Sequence, residues 1–208
     1  MSIDILSPAY RITVGIMYFA DITATTGGVN TYATPKGVNS IKNIGVTKQK
    51  SEQKVFASGF TYKYSSRKTG SQIQVSALQL PKDIIRKYAG KTVSTNKGFS
   101  FEQITDDLPE FATGYTTEYS DGKKVFKWFP RCVLVEYDDT VETSTDTPTE
   151  PSVAYQIVAL AYNGLIEVEY DQSQVVSGKT PLSEEQFFAA VISKTDDALV
   201  DSEATAGA

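Results

Sequence analysis

The side chains of this chain that could do chemistry are a few paired carboxylates, one thiol, and a run of cations set among aromatics. Carboxylate pairs occur at Asp106/Asp107, Asp138/Asp139 and Glu167/Glu169. The first two fall in polar stretches, where neighbouring acids are solvated. Glu167 and Glu169 stand two apart in a strand-like run and share a face, an arrangement that could supply the acid and base of a glycosidase. Adjacent carboxylates on an exposed strand are far more often a wetted surface. Cys132 sits in the β-rich run CVLVEY. The chain has no histidine to activate it as a nucleophile, so it reads as a small core residue. Absence of histidine also removes the commonest general base and metal ligand. No glycine-rich loop leads into a helix with the Lys-Ser/Thr that cradles phosphate. Catalysis, a cofactor and a metal are therefore not expected.

The densest cluster of chemically capable residues lies between 41 and 80. Lys42, Lys48, Lys50, Lys54, Lys63, Arg67 and Lys68 stand there against one acid, Glu52. Phe56, Phe60, Tyr62 and Tyr64 fall on even positions, hence on one strand face. Cations interleaved with aromatics can hold phosphates and stack bases. Aromatics on one strand face are more often core or interface, however, and a chain of net charge −5 is a poor phosphate binder overall. A long two-stranded arm of this kind barely buries its apolar side alone. It needs a partner surface, from its own domain or from another copy of the chain.

The elements that must position this arm are strands. Residues 11–22 are rich in β-formers; the Thr, Gly, Asn and Pro of 23–37 read as a loop or a loosely paired edge. Strand then resumes at 38–48, runs out along the arm and returns at 71–80, where Ile73, Val75 and Ala77 alternate with Gln72, Gln74 and Ser76. Pro81 opens a short helix that ends at Gly90. Asp121-Gly122 and Asn163-Gly164 are tight-hairpin signals within strongly β stretches, and Pro130 is expected to break the strand between them. The run 138–151 reads as an acidic loop. Ser183-Glu184-Glu185-Gln186 is a capping box opening a last helix with a Phe187, Phe188, Val191, Ile192 stripe. The expected fold is mainly β, a β-sandwich or partly closed barrel with one flanking helix, the arm at about 45–70, and a short C-terminal helix. Residues 1–193 form one domain in this reading, and 194–208 a disordered acidic tail.

Charge is unevenly placed. Residues 1–131 hold 18 Lys/Arg against 10 Asp/Glu, a net +8; residues 132–208 hold 2 against 15, a net −13. One reading is a basic face and an acidic tail on one domain; the other is complementarity between copies, since opposite patches steer and register association. No apolar run approaches a membrane span, and no export signal is expected at the N-terminus. A single cysteine excludes an internal disulfide and suits a reducing compartment.

The order of segments resembles the major tail protein, or tail tube protein, of long non-contractile-tailed bacteriophages. The resemblance is carried by the opening strand at 14–22 and Tyr32-Ala33-Thr34-Pro35 in the loop after it. A strand at 38–44 then precedes a charged hairpin, and 71–80 runs into PKDIIRKYAG. Beyond these come KKVFKWFPRCVLVEYDD, a Thr/Glu/Pro loop, SVAYQIVALAY and the closing SEEQFFAAV segment. What the resemblance implies is a structural subunit of the virion, made in the host bacterial cytoplasm. Six copies would join sheets edge to edge into rings, stacked around the tape-measure protein with the tail terminator and distal tail proteins at the ends. The tube would conduct viral DNA without binding it specifically. On that footing Lys48, Lys50, Lys54, Phe56, Phe60, Tyr62, Tyr64, Arg67 and Lys68 are expected at a subunit interface. Glu167 and Glu169 are expected either on the lumen wall or as the arm's acidic partner, together with the 138–150 stretch. The alternatives are a carbohydrate- or receptor-binding β-sandwich working through exposed aromatics such as Trp128, and the tube protein of a contractile machine.

Overall fold

The structure, a computed structural model, describes residues 9–57, 60–94, 98–102, 108–137, 152–176 and 178–195, with the backbone alone at 55–57, 60–62, 93 and 136. In chain order the strands are β1 (Arg11–Thr26), β2 (Val29–Tyr32), β3 (Lys36–Val38), β4 (Ile41–Ala57) and β5 (Phe60–Ala77). Helix α1 (Lys82–Tyr88) follows, then β6 (Thr92–Val93), β7 (Ser100–Phe101), β8 (Glu110–Tyr119), β9 (Lys124–Tyr137), β10 (Val153–Leu160) and β11 (Val168–Asp171). A 3-10 turn (Gln172–Gln174) and the one-turn helix α2 (Glu184–Phe187) close the described chain.

The protein is mainly β, as its strand alternation and hairpin signals implied. Nine strands form one antiparallel sheet in the order β2-β1-β8-β9-β10-β5-β4, with β3 paired to β1 and β11 to β9; β6 and β7 form a separate two-stranded ribbon. The sheet curls until β1 and β4 lie against each other, without closing into a barrel. Inside the curl is the first core: Met17, Phe19, Ile73, Val75, Phe111, Phe129, Cys132, Tyr155 and Ile157 are all buried there. Helix α1 covers this core, with Tyr88 stacked on Phe111 at 3.9 Å between ring centres. The Tyr88 hydroxyl donates to Asp21 Oδ1 (2.9 Å), and Lys87 Nζ lies 2.7 Å from Asp21 Oδ2.

A second core lies on the opposite face of the same sheet, under the C-terminal segment. Phe126, Trp128, Ala20 and Ala112 meet Phe187 and Phe188 there, with Val191 and Ile192 packed alongside. Tyr18 stacks on Phe188 at 3.9 Å, and its hydroxyl donates to Glu184 Oε1. The capping box forms: Ser183 Oγ accepts from the Gln186 amide, and Gln186 Oε1 accepts from the Ser183 amide. Strand β8 is thus enclosed on both sides, and Phe111–Thr117 are buried without a break. That is why β8 reads as a continuous run rather than an alternating one.

Four local expectations change. Residues 23–37 hold more strand than a loop would, with Gly27 and Gly28 at positive φ turning β1 into β2, the paired edge of the sheet, while residues 33–35 stay outside any strand. Pro130 does not break β9; it sits where the β8–β9 register slips, between Phe111↔Cys132 and Thr113↔Phe129, and a bulge is a place where a missing ladder N–H costs little. Asn163 and Gly164 do take left-handed φ, with Tyr162 and Leu165 exchanging two backbone bonds of 2.8 Å. The returning chain does not extend β10, whose two edges already hold β5 and β9. It rejoins the line of β10 as β11, along the other half of β9 (Val168↔Trp128 to Asp171↔Val125). The closing helix stops after one turn, and its apolar residues continue as irregular chain.

Candidate assembly surface

Strands β4 and β5 form the arm. Their pairing runs from Ile41↔Ala77 to Ala57↔Phe60, with register shifts at Gln49/Lys50 and Val55/Phe56. Only the first part of it lies within the sheet, because β10 leaves β5 at Leu160↔Gly70. Beyond Gln49 and Gly70 the two strands pair, among the described residues, with each other alone. At ~3.3 Å per residue the eight residues from Lys50 to Ala57 carry the arm about 25 Å past the sheet.

The base of the arm is pinned to its own body. Lys48 Nζ forms an ion pair with Glu167 Oε2, and both side chains are about two-thirds buried. Glu169, the other carboxylate of that pair, is held by Lys127. Burial disfavours the Lys127 ammonium, but the bond to Glu169 together with the charges of Glu167 and Glu169 and the Tyr115 phenol outweighs it, and its pKa is raised. Nearby, Arg11 Nε donates to the Tyr119 hydroxyl at 3.1 Å. Glu167 and Glu169 are therefore not a free acidic patch; each is matched to a cation of the same chain.

Further out the arm carries unbalanced charge. Lys50 stands directly across from Lys68, and Ser51 across from Arg67. Like charges facing each other across a strand pair destabilise it. Among the described residues no carboxylate lies in ion-pair contact with Lys50, Arg67 or Lys68, and all three are exposed. Lys54 lies 6.0 Å from the centre of the Tyr64 ring. Tyr64 is half exposed, and its phenol pKa is pushed up by a hydrogen bond with Glu52. The side chains of Phe56, Phe60 and Tyr62 lie outside the described residues, as do Asp106/Asp107, Asp138/Asp139, the acidic run 138–151 and the tail beyond residue 195.

Trp128, the residue on which a sugar-binding reading rests, is fully buried, and its indole N–H donates to the Phe187 carbonyl at 3.3 Å. Cys132 is buried, and burial raises its thiol pKa. Among the described residues no group of three or more acids, histidines or cysteines is placed to hold a metal ion, and no helix is long and apolar enough to cross a membrane.

Two exposed apolar sites went unread in the sequence. Tyr10, Ile12 and Ile16 are exposed along the first half of β1, where the edge away from β8 has no described partner strand. On the β6–β7 ribbon Phe99 and Phe101 stack in the open at 6.2 Å. Spacing alone does not reveal either, since an apolar residue in a strand looks the same whether its face is covered or bare.

Comparison with known families bears on what such edges are for. The sequence profile of the phage tail tube protein family matches residues 22–190, most of the chain and nearly all of the sheet. No curated protein shows a significant match.

Proposed function

The chain belongs to the phage tail tube protein family, and from that premise we propose that six copies join into a ring and that rings stack into the tube around a tape-measure protein, later conducting viral DNA. The observation that carries this reading is the arm. Roughly 25 Å of paired strand leaves the body with exposed cations and no carboxylate of its own chain, among the described residues, to meet them. Such an arm is a poor element of an isolated domain and a suitable one for a neighbour. Its counterpart on that neighbour is the acidic C-terminal part of the chain, where the net charge is −13. The outer edges of β4 and of the first half of β1, which have no partner strand among the described residues, supply the sheet margins that ring closure would pair. Residues 1–193 serve as one assembling unit in this reading.

A variant in which residues 50–69 are replaced by a two-residue turn tests it. The purified native chain should give rings or tubes in negative stain. The shortened chain should remain a folded monomer by sedimentation. Normal polymers from the shortened chain would refute the role given to the arm.

A further inference from the structure

The arm leaves the sheet at a foot whose polar groups are not all satisfied. Lys48 faces Ser71 there, continuing the Val46↔Ile73 row of the core side. It is the last such pair before the strands slip register at Gln49/Lys50 and leave Thr69 unmatched. A bulge of this kind bends a strand pair and interrupts its ladder. On one side β5 is gripped by β10, through Ala159↔Ser71 and Leu160↔Gly70. On the other, β4 has no partner strand beyond β5 among the described residues, so β4 is the strand able to move. Two side chains decide whether it does. Lys48 is tied to Glu167, which lies on the connection before β11 and outside any strand. Ser71 is fully buried, and its hydroxyl has no hydrogen-bond partner among the described residues.

We propose that this foot is a hinge and the Lys48–Glu167 pair its latch, so that the free subunit holds its arm in check until a second copy draws it out. The consequence for assembly rests on the tube reading, because it names what regulates the arm; the hinge itself belongs to the single chain. A partly exposed ion pair shifts an equilibrium by up to about fivefold, which is all that the latch sets against opening. Parting the strands at the foot hydrates the Ser71 hydroxyl, and relieving a buried, unpaired hydroxyl favours opening by about five- to a hundredfold. The second effect offsets the first. The ladder bonds of the foot, each worth about two- to tenfold against water, are the margin that keeps it shut. Opening also changes charge on both sides. Lys48 joins Lys50 and Lys68 on the arm, and Glu167 is bared on the body. The opened subunit thus offers a second copy a further cation and a further carboxylate, which strengthens complementarity between copies. Glu169 stays with Lys127 throughout.

Hydrogen exchange on the monomer tests the hinge without any assembly. Amides of residues 47–49 and 70–72 are followed against those of 126–129 in β9, in the native chain, in Glu167→Gln and in Ser71→Ala. The foot should exchange faster than β9 in the native chain. It should be up to about fivefold faster again in Glu167→Gln. In Ser71→Ala, which removes the hydroxyl that opening relieves, it should be at least about fivefold slower. Shifts of the foot and of β9 by one common factor would reduce both variants to changes in global stability and overturn the hinge. Polymerisation followed by light scattering then tests the latch. Glu167→Gln should shorten the lag and Ser71→Ala lengthen it, although neither alters the arm beyond its foot. Equal lags, or a longer lag in Glu167→Gln, would overturn the latch. Should Ser71→Ala not fold, Ser71→Cys carries the measurement in its place. A native chain that never polymerises removes the tube reading and the latch's role with it, while the exchange rates still decide the hinge.

Discussion

Replacing Gly114 by alanine is the sharpest probe of how the two cores are held together. Gly114 pairs with Trp128 at the centre of β8–β9, where the sheet is covered on both faces. A Cβ there would stand 2.8 Å from Phe188 Cε1 and 2.9 Å from Trp128 Cε3, and closer still to the Lys127 carbonyl oxygen. The two rings have little freedom to retreat: Phe188 is stacked on Tyr18, and Trp128 is fully buried. The carbonyl belongs to the β-ladder backbone and cannot rotate away. Overpacking of this kind costs about 1–3 kcal/mol, and contact with backbone puts it at the upper end. The unfolded chain loses entropy on the same change, which offsets about 0.4–1 kcal/mol. The net is a loss of about 2 kcal/mol, or roughly 4–8 °C in Tm for a chain of this size. Gly45→Ala is the matched control, because a Cβ there meets nothing within 4 Å and only the entropic gain remains. Urea unfolding followed by fluorescence of Trp128, the one tryptophan, measures both. Equal midpoints for the two variants would refute the close approach of β9 and the Phe188 segment to Gly114.

Other perturbations separate assembly from folding. Charge reversal at Lys50, Arg67 and Lys68 together should abolish polymerisation and leave the monomer's Tm within about 1 °C, because the cross-strand repulsion is merely exchanged for one of opposite sign; sedimentation and thermal scans of the same samples check it. Glu167→Gln removes the partner of Lys48 at a partly exposed site, and should cost no more than about 1 kcal/mol in urea unfolding, with the loss shrinking as salt rises. Burial works to raise the Asp21 pKa, but hydrogen bonds from Lys87 and Tyr88 outweigh it and the carboxyl ends lowered. Its contribution is therefore present above the ordinary aspartate value of about 3.9 and lost as pH falls through the lowered one. Asp21→Asn should accordingly be less stable than the native chain at pH 6 and close to it near pH 2.

Much of this architecture was legible because it depends on local chemistry. The capping box at Ser183, the Asp121-Gly122 turn and the alternation of Ile73, Val75 and Ala77 each rest on residues close in the chain, and each formed as read. The arm was legible for the same reason, as two β-rich runs joined by a short connection. What failed to read was pairing decided at a distance. Asn163-Gly164 does turn the chain, yet which strand receives it depends on the occupancy of β10's edges by residues far away in sequence. Pro130 looked like a strand end because its tolerance comes from a bulge in the pairing with β8, a property of two strands rather than one. Glu167 and Glu169 looked like a free acidic face because Lys48 lies 119 positions from the first of them and Lys127 belongs to another strand.

A cryo-electron microscopy map of the polymer formed by the purified native chain tests the central claim most directly. The account predicts six-membered rings in which the arm crosses to a neighbouring copy. A particle that stays monomeric at high concentration, or a polymer whose arms fold back on their own subunits, would contradict it.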